Sequence, residues 1–179
     1  MSGGLKTARY FSDKDARLIP EIWNPNTERW TELAPMQIPR NYHSTSVLLP
    51  DGRVMLAGGG LCGSCKENHP DAEIYSPPYL FQSNGELASR PEIKAAPEKA
   101  PQGSVITINT NRAISYFSII RYSSNTHSTN NEQRRIQLPA TRVGHNQYQI
   151  TIPDPNVAVP GYYMQFGVDG NGVPSMAHN

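Results

Sequence analysis

Tyr42 and His43 stand side by side, and a second imidazole, His127, lies in the polar run 123–130. A phenol and two imidazoles form a donor set that copper accepts. Neutral ring nitrogens suit Cu(II), a phenolate adds a hard anionic oxygen, and tetragonal geometry leaves a position open for substrate. Each residue also has a plainer role. A tyrosine in a β-rich chain is commonly a half-buried sheet residue with a wet hydroxyl, and a histidine beside a strand is commonly a surface group. The adjacency of Tyr42 with His43 keeps the metal reading open. His145 and His178 stand in no such pair and are read as surface residues.

Residues so far apart in sequence must be brought together by a fold, and composition points to its class. In 179 residues there are 16 Pro and 14 Gly, with few stretches of helical period, so the expectation is all-β, many short strands joined by turns. A formal net charge of +1 gives no basis for a nucleic-acid or anionic-membrane partner. The longest apolar run, 113–120, is well short of the roughly 18 residues of a membrane span, so a soluble chain is expected. The first residues, Met1 to Arg9, have no apolar core of a secretory signal. A leader removed earlier, or a frame beginning inside a longer protein, would account for that.

An internal repeat organises the first part of the chain. Glu21-Ile22-Trp23-Asn24-Pro25 returns as Glu73-Ile74-Tyr75-Ser76-Pro77, about 50 residues later, the length of a kelch-type propeller blade. Between the copies lie Trp30, Gly58-Gly59-Gly60 and Pro50-Asp51-Gly52. Asp51-Gly52, flanked by apolar runs, reads as a two-residue hairpin turn with positive φ angles. About one four-stranded blade is expected, and one blade cannot bury both its faces. Cys62 and Cys65 in the loop Cys62-Gly63-Ser64-Cys65 admit three readings. A zinc site with His69 lacks a fourth ligand, and a thioredoxin-type pair lacks its βαβ setting. A structural disulfide in an oxidising compartment is the plain one, and His69 then needs no role.

A composition shift near 79–97 divides the chain into 1–80 and 81–179. Strands are expected at 104–108, 115–120, 135–138, 147–152 and 162–166, with period-2 alternation clearest over 147–152. About 100 residues of such strands suggest an immunoglobulin-like sandwich. A closing strand after Ser175 looks cut short, which would leave an open edge.

These residues carry a family resemblance. The run Arg40-Asn41-Tyr42-His43-Ser44, the segment Leu48 to Arg53, Gly58 through Cys65, and Asn68-His69-Pro70-Asp71-Ala72 resemble the last propeller segment of the galactose oxidase-like copper-radical oxidases. Arg121-Tyr122, Thr126-His127, Gln133 to Ile136 and Pro160 to Met164 resemble that family's C-terminal immunoglobulin-like (E-set) domain. The likeness runs from about Pro20 to Ser175, and residues 1–19 carry no clear signal.

The resemblance implies a secreted enzyme that oxidises a primary alcohol or sugar to the aldehyde while dioxygen becomes hydrogen peroxide. It implies Tyr42 as axial tyrosine and general base, His43 and His127 as equatorial copper ligands, and Cys62 paired with Cys65. It also shows a gap. The family's radical cofactor is a tyrosine crosslinked to a cysteine in earlier blades, and both cysteines here lie in one loop. Inactivity of this chain alone is therefore expected, with the missing blades as a possible separate partner chain. The alternative is a non-catalytic module for interaction or carbohydrate binding. Gln133, Arg134 and Arg135 are placed to support the His127 loop, although solvation of a strand edge explains them equally well.

Overall fold

A computed structural model describes residues 1–179 apart from Ala8, His127, Ser128 and Gln133. The chain divides into two compact units. One comprises Met1–Leu48, Val54–Tyr75 and Ser124–Asn131, and the other Leu49–Arg53, Ser76–Ser123 and Glu132–Asn179. No α-helix occurs among the described residues, and the one helical element is a 3-10 turn at Pro78–Leu80.

The first unit holds β1 (Glu21–Asn24), β2 (Arg29–Glu32), β3 (Thr45–Leu48), β4 (Val54–Ala57) and β5 (Ala72–Tyr75). β1 and β2 form an antiparallel hairpin with Trp23 opposite Trp30. Their turn is started by Asn24, whose Oδ1 accepts from the Asn26 N–H at 2.9 Å, the local competition that suits Asn to turns. β3, β4 and β5 form an antiparallel sheet in that order. The two copies of the Glu-Ile-aromatic repeat thus lie in β1 and β5. Where a four-stranded blade is expected, the described residues form this three-stranded sheet and a separate hairpin.

The connection from β3 to β4 also differs from the expected two-residue turn. The Gly52 N–H donates to the Leu49 carbonyl and the Leu49 N–H to the Arg53 carbonyl, both at 2.8 Å. Gly52 has φ 79°. This is a three-residue loop ending in a left-handed glycine. Pro50, with φ locked near −65°, suits the second position of an ordinary turn, which places Asp51 third and leaves Gly52 to take the left-handed conformation.

The second unit holds β6 (Ile93–Ala95), β7 (Val105–Thr110), β8 (Tyr116–Arg121), and, after an excursion, β11 (Arg135–Leu138), β12 (Thr141–Gly144), β13 (Gln147–Thr151) and β14 (Tyr163–Val168). The excursion is the hairpin of β9 (Ser124–Thr126) and β10 (Thr129–Asn131), which belongs to the first unit. Two antiparallel sheets result, β11-β8-β14 and β12-β13-β7-β6. In β7, residues 106, 108 and 110 are buried while their neighbours are exposed, as period-2 patterning requires of a strand with one wet face. Ile106, Ile108, Phe117, Ile119, Leu138, Tyr148 and Ile150 meet in one core. The Tyr148 hydroxyl is not wasted there, because it accepts from the Ile114 N–H at 3.0 Å.

The outer edge of β14 is partly covered by the chain's last residues. Gln165 and His178 exchange two backbone hydrogen bonds of 2.9 Å, and the Ser175 N–H reaches the Gly167 carbonyl at 2.7 Å. His178, expected at the surface, is half-buried with Nε2 shielded from solvent, because its backbone is bound into this edge. His145 is exposed, as expected. Arg90 ties this segment down by donating to the carbonyls of Pro174, Ser175 and Asp51 at 2.8, 2.5 and 2.6 Å.

Candidate metal centre

Tyr42 and His43 are the middle residues of a turn closed by the Ser44 N–H on the Asn41 carbonyl at 3.0 Å. His43 has φ 67°, a left-handed conformation that a histidine adopts only when its surroundings impose it. Those surroundings are visible on both sides. Before the turn, Arg40 is 2% exposed and donates to the Gly58 carbonyl at 3.0 Å while pairing with Asp71 at 2.7 Å and Glu73 at 3.2 Å. A buried guanidinium tolerates its desolvation only with such partners.

After the turn, Gly60 holds both candidate ligands. Its N–H donates to the Tyr42 carbonyl at 2.8 Å, and its carbonyl oxygen lies 2.7 Å from His43 Nδ1. A carbonyl can only accept, so Nδ1 carries the proton and Nε2 the lone pair, the arrangement that presents an imidazole to a metal. Position 60 must be glycine. Its φ is 83°, and the Glu67 carbonyl occupies the space that a Cβ would need. The two rings are 3.9 Å apart between centroids, inclined at 36°.

Cys62 and Cys65 form a disulfide within the following loop. Asn68 braces it, accepting from the Cys62 N–H at 3.0 Å and donating to the Gly63 carbonyl at 2.5 Å. Cys62, Cys65 and Glu67 lie close enough to share an ion, but thiols joined to each other are not ligands, which removes the zinc reading. No βαβ setting surrounds the pair among the described residues, which removes the redox reading.

The third candidate, His127, lies outside the described residues. The strands on either side of it are described. Thr126 in β9 faces Thr129 in β10, β9 packs beside β3, and Asn130 Nδ2 donates to the Ser46 carbonyl at 3.4 Å. Gln133, assigned a supporting role, is likewise outside the described residues. Arg134 donates to the Val157 carbonyl at 2.7 Å, and Arg135 lies over the Tyr116 ring at 5.5 Å.

Several contributors escaped sequence reasoning. Tyr10 and Phe11 meet the Tyr42 ring edge-on at 5.3 and 5.5 Å. His69, given no role, has Nε2 2.9 Å from Asp13 Oδ2. Asn41, 4% exposed, donates to Asp13 Oδ1 at 2.6 Å and to the Ser12 carbonyl at 2.9 Å. Residues 1–19 show no periodicity, and nothing in an irregular segment announces partners so distant in sequence.

A model of the galactose oxidase-like Early set domain matches residues 90–179, half of the chain. The chain belongs to the galactose oxidase-like family. A galactose oxidase of Gibberella zeae is 46% identical over 99% of this chain and 26% of its own length. An aldehyde oxidase of Arabidopsis thaliana is 31% identical over 91% of this chain and 30% of its own length. Among solved structures, a fungal alcohol oxidase of the AA5 family in complex with copper superposes with a TM-score of 0.95 at 43% identity, covering 99% of this chain and 38% of that one. This galactose oxidase-like chain thus spans about a quarter of the length of its curated relatives.

Proposed function

We propose that the chain is the C-terminal portion of a copper-radical oxidase that converts a primary alcohol or sugar to its aldehyde and reduces dioxygen to hydrogen peroxide. One observation carries the reading: Gly60 locks Tyr42 and His43 together with Nε2 as the donor nitrogen. The donor set fits copper. Tyr42 supplies a phenol, His43 supplies an imidazole oriented by a backbone carbonyl, and the hairpin of β9 and β10, which leads into and out of His127, belongs to the same unit. Copper with a protein radical supplies the two one-electron steps of the oxidation. The chain's own share is narrower. His43 and His127 would hold the copper through ring nitrogens, and Tyr42 would take the proton of the alcohol hydroxyl.

The radical half is not supplied by this chain. Among the described residues no cysteine is free, since both thiols are used in the Cys62–Cys65 disulfide, so none remains for a thioether to tyrosine. The 1–80 segment is read as a kelch propeller remnant whose blades continue elsewhere. Trp23 and Trp30, 42% and 49% exposed, are large apolar groups suited to a neighbouring sheet. A second reading, a non-catalytic module for interaction or carbohydrate binding, draws on the same exposed pair. The disulfide fits an extracellular location.

The purified chain is incubated with copper, oxygen and primary alcohols, and peroxide is measured. The expected result is no peroxide, with one copper retained on dialysis and held more weakly in His43→Ala. Sustained peroxide production would overturn the inactivity of the isolated chain, and no copper retention by the unmutated chain would overturn the assignment. Quenching of tryptophan fluorescence by oligosaccharides without copper retention would establish the second reading.

A further inference from the structure

We propose that Asp13 is a positioning residue that clamps the segment Tyr10–Asp13 over the Tyr42 ring and sets the geometry of the Tyr42–His43 pair. The inference rests on the copper reading only for its metal readout. Two features make Asp13 more than a surface carboxylate. Its two oxygens accept from donors on two different chain segments, Oδ1 from Asn41 at 2.6 Å and Oδ2 from His69 at 2.9 Å. Those segments lie on either side of the candidate ligands, since Asn41 precedes Tyr42 and closes their turn through its carbonyl. The His69 N–H donates to the Gly59 carbonyl at 3.0 Å, next to the Gly60 that holds His43.

The chemistry requires a carboxylate. Both neighbours are donors, and only an ionised carboxyl offers two acceptor oxygens and no proton of its own. An asparagine would turn an N–H on one of them. Asn41 spends both amide protons on this segment, one on Asp13 and one on the Ser12 carbonyl, so the segment and the turn hold each other. The clamp fixes the residues that precede it: Phe11, held at φ 55°, and Tyr10 lie with their rings against Tyr42. Tyr42 is half-buried beside these two rings.

The test uses the apo chain and then the copper-loaded chain. In the apo chain, nitration of Tyr42 by tetranitromethane is followed by peptide mapping, and ring-proton shifts are read with labelled tyrosine. Asp13→Asn and Asp13→Ala should each speed Tyr42 nitration about fivefold or more and move its ring resonances toward free-tyrosine positions. Lys14→Ala, whose side chain takes no part in the clamp, should leave both unchanged. In the loaded chain, copper affinity should fall about tenfold or more in both Asp13 variants, the size expected of groups that orient a ligand, and Asp13→Glu should recover part of it. If Asp13→Ala does not fold by circular dichroism, the isosteric Asp13→Asn carries the test. Unchanged nitration, shifts and copper affinity in Asp13→Asn would overturn the clamp. A clear apo effect beside a wild-type chain that binds no copper would uphold the clamp and sink the copper reading, so the two failures are distinguishable.

Discussion

The two units solve the burial problem differently. The β-sandwich covers its apolar side chains with its own second sheet, so Phe117 and Ile108 are fully buried. The unit that carries Tyr42 and His43 buries fewer large apolar side chains, Met36 and Leu56, leaves Ile22, Trp23, Trp30 and Ile74 open to solvent, and buries the polar Arg40 and Asn41 beside the turn. Scaffold and site are thus made from different interactions. Core packing holds the first, and hydrogen bonds donated by Arg40, accepted by Asp13 and exchanged with the Gly60 backbone surround the candidate site.

Substitutions chosen on the two sides should separate most clearly in their cost. Phe117→Ala removes a fully buried ring that meets Tyr148 edge-on at 5.9 Å and is expected to cost about 3–5 kcal/mol. Trp30→Ala removes a larger ring that is half in water and should cost less than about 1 kcal/mol. Urea unfolding of both variants checks the contrast, and equal losses would break it. Next in size is Arg90→Met. It leaves the carbonyls of Asp51, Pro174 and Ser175 without their donor and is expected to cost about 1.5–3 kcal/mol, with proteolysis near the C-terminus increasing first.

The smallest effect concerns acid. Burial alone would raise the Asp51 carboxyl, but the Arg53 backbone N–H and guanidinium, joined by the charge of Arg90, outweigh it and hold the group below its ordinary value. A carboxyl lowered in the folded state stabilises above its unfolded pKa, about 3.9, and loses that contribution as pH falls through the folded value. The stability gap between the wild type and Asp51→Asn should therefore be constant near neutrality and shrink below about pH 4. A gap that widens in acid would show the sign to be wrong.

Much of the scaffold was legible because strands with one buried face write their period into the chain. The alternation at Gln147–Thr151 and the β-branched run of β7 announced themselves. Short polar strands did not: Thr141–Gly144 carries no apolar alternation and pairs only because β13 offers an edge. The pair Asp51-Gly52 does not by itself disclose the three-residue loop, because Pro50, preset for the second position of an ordinary turn, joins it. At the candidate site the aromatic and imidazole residues stood out as types. Their support did not, since Gly60 acts through its backbone and Asp13 through contacts with residues far along the chain.

The proposed ligand set of one cupric ion is Tyr42, His43 and His127. Copper titration of the chain, followed by electron paramagnetic resonance, tests it through nitrogen couplings. The account predicts one equivalent bound with couplings from two imidazoles, falling to one in His43→Ala and in His127→Ala separately. A spectrum of solvated copper, or couplings unchanged in both variants, would contradict it.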